Sequence, residues 1–167
     1  MIVNGQSLLE AKPIKDMLIN KVRNVDGVSY GLVEVGYDIR IAETVMFMPE
    51  QDSILRIDED GVHSPVSGSF CLASTIEEFQ MPDDLMGIVH DKSTWARLGL
   101  SVFNTVIEPG WKGFLTLELA FKGSESFTIP AGAGIAQVIF HRLENKASYN
   151  GAYQNQAAGP VGSVIKS

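Results

Sequence analysis

The chain has little of what several large classes of protein depend on. One cysteine in 167 residues leaves no disulfide framework, so nothing points to an oxidising compartment. No signal sequence is visible, and the apolar runs are as short as strands and far from the length of a membrane span. Lysine and arginine number 13 against 20 acidic residues, and the net charge of -7 argues against binding to nucleic-acid phosphates. We therefore expect a cytoplasmic protein of a single domain (1–167), with no membrane and no nucleic-acid partner.

Helix signals are also scarce. Residues 7–10 fit a capping box that opens a short helix, Pro13 is expected to end or restart it, and residues 14–22 form the best amphipathic stretch. Beyond residue 30, alternation between Gly/Pro turns predicts strands at 37–41, 53–57, 69–75, 85–90, 114–121, 127–129 and 135–143. The sequence thus predicts an all-β domain, a β-barrel or jelly-roll-like fold with a short helical N-terminus.

Two further segments are predicted from composition alone. Residues 144–167 are polar and poor in large apolar side chains, so we expect a mobile C-terminal tail unless a ligand or a neighbour orders it. Cys71 lies in the apolar run 70–73 and is expected to be a buried thiol.

The predicted strand 114–121 carries a single carboxylate. Side chains alternate along a strand, so one face of this segment is predicted to be core: Leu115, Leu117, Leu119 and Phe121. Glu118 lies on the other, half-polar face beside Thr116. On an isolated strand the ordinary interpretation is a solvent-facing glutamate. Two neighbours favour a second interpretation, a carboxylate beside a phosphorylated ligand: the Pro109-Gly110 turn and the polar, basic run 92–97.

Several motifs follow one another in a distinctive order. They are GSFCLAST (68–75), MPDDL (81–85), KSTWARLGL (92–100), IEPGWKG (107–113), LTLEL (115–119), PAG (130–132) with IAQ (135–137), and YNGAYQNQ (149–156). Between residues 37 and 160 this series resembles the dCTP deaminase branch of the dUTPase-like superfamily.

The resemblance implies a β-barrel homotrimer with active sites shared between subunits, a deoxynucleoside triphosphate substrate, and Mg2+ bound through the triphosphate. It implies hydrolytic deamination of dCTP to dUTP, with Glu118 as the general base that activates water for attack at C4 of cytosine. Ser93 and Arg97 would orient that water and keep Glu118 ionised. The substrate-binding residues that it implies are Lys92, Ser93, Thr94 and Arg97 for the phosphates, Glu108 and Trp111 for the deoxyribose, Thr116 and Leu117 for the base, and Tyr149 and Gln156 from the tail.

We expect no zinc in this chemistry. Zinc-dependent deaminases need a His/Cys/Cys or Cys₃ ligand set with H-x-E and P-C-x-x-C motifs, and this sequence has one cysteine and neither motif. Trp111 also has a plainer interpretation, a core or interface aromatic, and Arg97 alone would suit a surface ion pair.

The alternative activity is that of a dUTP diphosphatase, or of a bifunctional enzyme that converts dCTP to dUMP. Glu108 stands where the dUTPase relatives carry an aspartate, and those relatives lack a carboxylate at the position of Glu118, so both residues favour deamination. Three departures from the deaminase pattern leave the substrate open: Lys92 replaces an arginine, Ala152 replaces a tail lysine, and the run from Thr105 to Ile107 is two residues short. A third class is a trimer that binds nucleotide without turnover.

Overall fold

The computed structural model describes residues 1–24, 27–63 and 68–165. These residues form fourteen strands, two short α-helices and one 3-10 helix. In chain order they are β1 (Ile2–Val3), α1 (Gly5–Ala11), β2 (Lys21–Arg23), β3 (Ser29–Leu32), β4 (Tyr37–Arg40), β5 (Thr44–Met48), the 3-10 helix (Pro49–Gln51), β6 (Ser53–Asp58), β7 (Gly61–His63), β8 (Phe70–Gln80), β9 (Leu85–Asp91), α2 (Ser93–Ala96), β10 (Leu100–Val102), β11 (Val106–Ile107), β12 (Lys112–Phe121), β13 (Phe127–Ile129) and β14 (Gly134–Arg142). The prediction of an all-β domain with a short N-terminal helix is confirmed.

The strands form three sheets, in which every pairing is antiparallel. The largest has the order β11-β9-β14-β4-β3-β2, with β1 also paired to β14. A three-stranded sheet has the order β10-β12-β8, and a four-stranded sheet has the order β13-β5-β6-β7. The apolar faces of all three sheets meet in one core, which includes Phe47, Phe79, Leu117 and Phe140. The predicted burial of Cys71 is confirmed.

The seven strands predicted from the alternating segments are all present, with ends that shift by a few residues. The largest difference is β8, which continues to Gln80, five residues beyond the predicted end at Thr75. Not predicted after residue 30 were β5, β7, β10, β11 and α2. The first four are short strands, and α2 is a single turn.

The amphipathic stretch 14–22 is not a helix, and that prediction was wrong. Ile14 is buried and makes an isolated bridge with Phe79, while Asp16 adopts a left-handed backbone conformation with φ of 50°. A left-handed residue cannot continue a right-handed helix. The apolar spacing therefore reflects separate contacts with the core.

The N-terminal helix begins earlier than the capping box predicts. The N-cap is Asn4, and Ser7 lies inside the first turn. The helix ends at Ala11, where Lys12 is left-handed and donates its backbone N–H to the carbonyl of Leu8, just before Pro13. In the part of the chain that the structure describes, no helix is long and apolar enough to cross a membrane.

Candidate active site

The central strand β12 places Glu118 at the edge of a cavity. β12 lies between β10 and β8, and Glu118 is opposite Leu72 of β8. The side chains of the predicted core face are buried, while Thr116 and Glu118 on the other face are half-buried. The predicted faces of this strand are therefore confirmed, and Glu118 does not lie in bulk solvent.

The cavity has a volume of about 440 Å³, and several predicted site residues line it together. They are Glu108, Trp111, Thr116, Glu118, Tyr149 and Gln156. The rest of the wall is largely apolar and includes Phe70, Leu72 and Ile107. A mostly apolar cleft with a few polar groups is the usual form of a small-molecule site.

The carboxyl group of Glu118 is desolvated in this cavity. Burial raises its pKa, and a hydrogen bond with its own backbone N–H opposes that rise to a smaller extent. Its Oε2 atom is fully buried and has no hydrogen-bond partner among the described residues. Buried polar atoms without partners are rare in folded proteins, which makes this oxygen an exception in the cavity wall.

The tail folds back over the same cavity. The indole Nε1 of Trp111 donates to the carbonyl of Tyr153 at 2.7 Å. Gln156 forms a parallel bridge with Gly113, and its carbonyl accepts from the backbone N–H of Phe114 at 3.0 Å. Only glycine fits at 113, because a Cβ there would lie 2.5 Å from the carbonyl oxygen of Gln156. Trp111 therefore holds the tail in addition to packing against the core.

The hydroxyl of Thr116 fixes the side chain of Gln156. Thr116 Oγ1 accepts from Gln156 Nε2 and from the backbone N–H of Val161, the latter at 3.0 Å. The amide of Gln156 is thereby oriented at the wall of the cavity.

The segment around α2 lies elsewhere on the surface. Ser93, Thr94 and Arg97 are exposed and do not line the cavity formed by the described residues. Lys92 turns inward, where its ammonium donates to the carboxylate of Asp38. Within one chain, the structure therefore does not bring these four predicted residues to Glu118.

Leu117 lies on the opposite side of β12 from the cavity. Its side chain is buried in the core, so any contact with a base would have to come from its backbone. Sequence reasoning missed Thr105 and Tyr153, which both line the cavity. Tyr153 lies inside the tail motif that suggested Tyr149 and Gln156, whereas Thr105 is revealed only by the course of the chain after β10.

The described residues contain no group of three or more His, Cys, Asp or Glu side chains placed to hold a metal ion. The cavity itself has two carboxylates, Glu108 and Glu118. Both are oxygen donors of the kind that Mg²⁺ binds.

Comparisons with known proteins identify the family. The family model described as dCTP deaminase-like matches residues 8–143. The dCTP deaminase of Protochlamydia amoebophila is 34% identical over 171 residues, covering 90% of each chain. That of Campylobacter jejuni is 35% identical over 155 residues, covering 83% of each chain. The chain belongs to the dCTP deaminase family.

Solved dUTPase structures resemble this dCTP deaminase family member. The native EIAV dUTPase has a TM-score of 0.50 and 18% identity, over 78% of this chain and 88% of its own. A dUTPase variant from phage phi11 of S. aureus, which coordinates a structural Mg(II) ion, has a TM-score of 0.50 and 16% identity, over 83% of this chain and 92% of its own. At these identities the likeness shows the fold, and the predicted dUTPase-like fold is confirmed.

Proposed function

We propose that this member of the dCTP deaminase family hydrolyses dCTP to dUTP and ammonia without zinc. The observation that carries the proposal is Glu118 Oε2, a buried carboxylate oxygen with no hydrogen-bond partner in the described part of the chain, on a residue that lines a cavity large enough for a nucleoside. The relatives at 34% and 35% identity are dCTP deaminases, which supports a substrate of this kind.

Glu118 is the proposed general base. It takes one proton from water as the water oxygen adds to C4 of cytosine, and it delivers that proton to N3. The second proton of the water then passes through the same carboxylate to the amino group, and ammonia leaves as the C4–N bond breaks. A carboxylate with a raised pKa holds a proton more readily between these steps, which suits a group that must accept and then release one.

The remaining polar groups are proposed to come from a neighbouring subunit in a homotrimer. Ser93, Thr94 and Arg97 are exposed in the single chain, as a segment that completes another subunit's site would be. Phe70 at the cavity and Phe103 beside it are also exposed, with ring centroids 6.0 Å apart. An incoming Arg97 guanidinium would lower the pKa of Glu118 and oppose the effect of burial.

The substrate is proposed to enter as its magnesium complex. Mg²⁺ usually binds to proteins through substrate phosphates and retains several waters. Bound in this way, the ion would offset the charge of the triphosphate. Glu108 and Trp111 would contact the deoxyribose, Thr116 the base, and Tyr149 and Gln156 would close the site.

A second candidate is a dUTP diphosphatase, alone or combined with deamination. Glu108 is exposed and lines the same cavity as Glu118, so the site has a carboxylate that could activate a second water against a phosphate. We rank the diphosphatase alone second because it leaves the half-buried Glu118 without a role.

Product analysis separates these activities. The purified protein is incubated with Mg²⁺ and either dCTP or dUTP, and the nucleotides are resolved by chromatography. We expect dUTP from dCTP, and loss of this product in Glu118→Gln with nucleotide binding retained. Formation of dUMP from dUTP, lost in Glu108→Gln, would instead support the second candidate, and binding without any product would contradict both.

A further inference from the structure

A second cavity lies beside the tail, and its wall differs from that of the candidate active site. Its volume is about 820 Å³, and none of the described residues that line it also lines the cavity of Glu118. Most of its lining residues are polar or charged, whereas the wall around Glu118 is largely apolar. It is formed by the end of α1 and the segment after it, the end of β8, the start of β12 and the tail.

Four segments of backbone lie side by side at this cavity. The N–H of Gln80 donates to the carbonyl of Pro13 at 2.8 Å, and Gln80 is opposite Lys112 in the pairing of β8 with β12. On the other side of β12, the tail is bridged to Gly113 through Gln156. Because neighbouring strands are about 4.8 Å apart, the segment after α1 and the start of β12 are about 10 Å apart across the end of β8. Long side chains from both segments can therefore reach a common ligand.

Lysine side chains come from both sides of the end of β8. Lys12, Lys15 and Lys112 all line the cavity, in a chain whose net charge is -7. Lys15 is paired with Glu78. Lys12 and Lys112 form no ion pair with any of the described residues. Two ammonium groups without a counter-ion therefore border one cavity, where an anion with several charges can accept hydrogen bonds from both.

Two carboxylates restrict which anion can bind there. Asp16 and Asp83 also line the cavity and, within residues 1–24, 27–63 and 68–165, likewise form no ion pair. They would repel a bare polyanion. Mg²⁺ is usually bound by one or two carboxylates together with phosphate oxygens, and it retains several waters. A wall that combines ammonium groups and carboxylates therefore fits a phosphate chain that carries its own Mg²⁺.

The backbone of this wall adopts an unfavourable conformation at several positions. Four non-glycine residues have a positive φ in the part of the chain that the structure describes, and three of them line this cavity. They are Lys12, Asp16 and Asn155, with φ of 49°, 50° and 58°. At Lys12 this conformation ends α1, but no helix ends at Asp16 or Asn155. Left-handed residues with a Cβ are disfavoured and cluster at ligand sites and switches, which supports a binding role for this wall.

The tail separates the second cavity from the candidate active site. Gln154 and Asn155 line the second cavity, whereas their neighbours Tyr153 and Gln156 line the cavity of the candidate active site. The side chain of Gln154 attaches the tail to β12, because its Oε1 accepts from the N–H of Lys112 at 2.8 Å. A ligand in the second cavity would therefore contact the same segment that covers the active site.

We propose that the second cavity is a regulatory site for the magnesium complex of a polyphosphate chain, either free or as part of a nucleoside triphosphate. Lys12 and Lys112 bind the phosphate oxygens, and Asp16 and Asp83 bind the waters of the Mg²⁺ ion. The ligand joins the segment after α1 to Asn155 and so holds the tail over the active site. Binding at this site does not depend on which reaction the active site catalyses.

Isothermal titration calorimetry with inorganic triphosphate and Mg²⁺ tests the site. All proteins in this test carry Arg97→Met, which weakens binding of triphosphate at the proposed active site. We expect Lys12→Gln with Lys112→Gln to raise the Kd at least about 10-fold, because two charged hydrogen bonds are lost. The matched control is Lys21→Gln with Lys122→Gln, two exposed positions outside the cavity with the same change of net charge. Its Kd should change less than about 2-fold in physiological salt, which screens distant charges. Equal Kd values in the two pairs would overturn the site.

The role of the carboxylates is tested by removal of the metal ion. In Arg97→Met, EDTA should raise the Kd for triphosphate about 10-fold, and Asp16→Asn with Asp83→Asn should abolish this difference. A Kd that is the same with and without Mg²⁺ would contradict binding as a magnesium complex. Titration with ATP in parallel distinguishes the two sources of the phosphate chain. Tighter binding of ATP would indicate a nucleoside triphosphate, and tighter binding of inorganic triphosphate a free polyphosphate.

Proteolysis tests regulation through the tail without dCTP. Triphosphate with Mg²⁺ should slow chymotrypsin cleavage after Tyr153 several-fold in the control pair and leave it unchanged in Lys12→Gln with Lys112→Gln. Binding without this protection would overturn the regulatory role. Neither result depends on deamination, so failure of this inference and failure of the proposed function are distinguishable. If the protein does deaminate dCTP, the same ligand should lower the KM for dCTP in the control pair, since coupling between two sites is reciprocal.

Discussion

The ammonium of Lys92 is bonded to the carboxylate of Asp38 beneath the segment that carries Ser93 and Arg97. The pair is nearly buried, with side-chain exposures of 11% and 5%. The hydroxyl of Ser29 bridges both partners at 3.2 Å. Trp95, which lies three residues after Lys92, donates its indole N–H to the carbonyl of Gly134 at 2.6 Å. These contacts attach both ends of α2 to the large sheet, so the exposed residues of α2 are held in a fixed position relative to that sheet.

Lys92→Met should therefore lower stability strongly. It leaves the Asp38 carboxylate buried without its cation, and removal of one partner of a buried ion pair costs about 3–5 kcal/mol. Urea denaturation followed by tryptophan fluorescence measures the change. Lys15→Met is the matched control, because the Lys15–Glu78 pair is largely exposed and such pairs contribute at most about 1 kcal/mol. Equal losses in the two variants would show that the Asp38 contact does not stabilise the fold.

The sequence predicted the elements whose side chains alternate against a single core. β12 was recognised because its buried positions, such as Leu117 and Leu119, recur with period two. The strand β5 was missed because apolar Met46 lies between its buried Val45 and Phe47 and apolar Met48 follows, which hides the alternation. Residues 14–22 show the converse error, where an apolar spacing typical of a helix arises from unrelated contacts.

The motifs indicated which segments carry the candidate site residues, but they indicated the spatial arrangement of those residues only in part. Of the residues that the motifs suggested, Glu108, Thr116 and Gln156 line the same cavity as Glu118. The partner of Lys92 lies 54 residues away in sequence, and no local pattern reveals it. Likewise, Thr105 could be recognised as a residue of the cavity wall only from the structure, in which the chain after β10 runs beside β12.

Burial of Glu118 should make its replacement by glutamine stabilising at neutral pH. The raised pKa means that the folded state binds this proton more tightly than the unfolded state. Binding of this proton by Glu118 therefore stabilises the fold at pH values below the pKa of the glutamate in the unfolded chain. The stabilisation is lost as the pH rises through the pKa of Glu118 in the folded chain. Arg97→Met is used as the background, so that a cation from a neighbouring chain cannot offset the burial.

At pH 7.5, the double variant with Arg97→Met and Glu118→Gln should melt at a higher temperature than Arg97→Met alone. The difference should shrink as the pH falls to about 4, where the carboxyl group is protonated in both folded and unfolded chains. Scanning calorimetry at the two pH values measures it. A gain that is the same at both pH values would mean that desolvation of the charged carboxylate is not its cause.

Cys71 should be unreactive in the folded protein. Burial raises the pKa of its thiol to about 12, so almost no thiolate, the reactive form, exists at pH 8. Ellman's reagent should label less than one tenth of the protein within an hour, and one thiol per chain after denaturation in guanidinium. Rapid labelling before denaturation would show that the strand β8 opens in the native state.

Gly113→Ala should release the tail from the cavity. A Cβ at this position would lie 2.5 Å from the carbonyl oxygen and 2.6 Å from the amide nitrogen of Gln156, both backbone atoms that cannot turn aside. Gly61→Ala is the control, because Gly61 has a φ of 123° against 129° for Gly113 but, among the described residues, no atom within 4 Å of the added carbon. Alanine is strained by a similar positive φ at both positions, but only the Cβ of Gly113→Ala would clash with the tail.

Limited digestion with chymotrypsin measures tail release without reference to activity. In the unmodified protein, Trp111 holds the carbonyl of Tyr153 and Gln156 is paired with β12, so cleavage after Tyr153 should be slow. Gly113→Ala should be cut several-fold faster at this bond and Gly61→Ala at the original rate. The apparent KM for dCTP should rise in parallel in Gly113→Ala, because Tyr149 and Gln156 would no longer close the cavity. Faster cleavage with an unchanged KM would show that the tail does not contribute to substrate binding. The site would then consist of Glu118 and the other residues of the sheet.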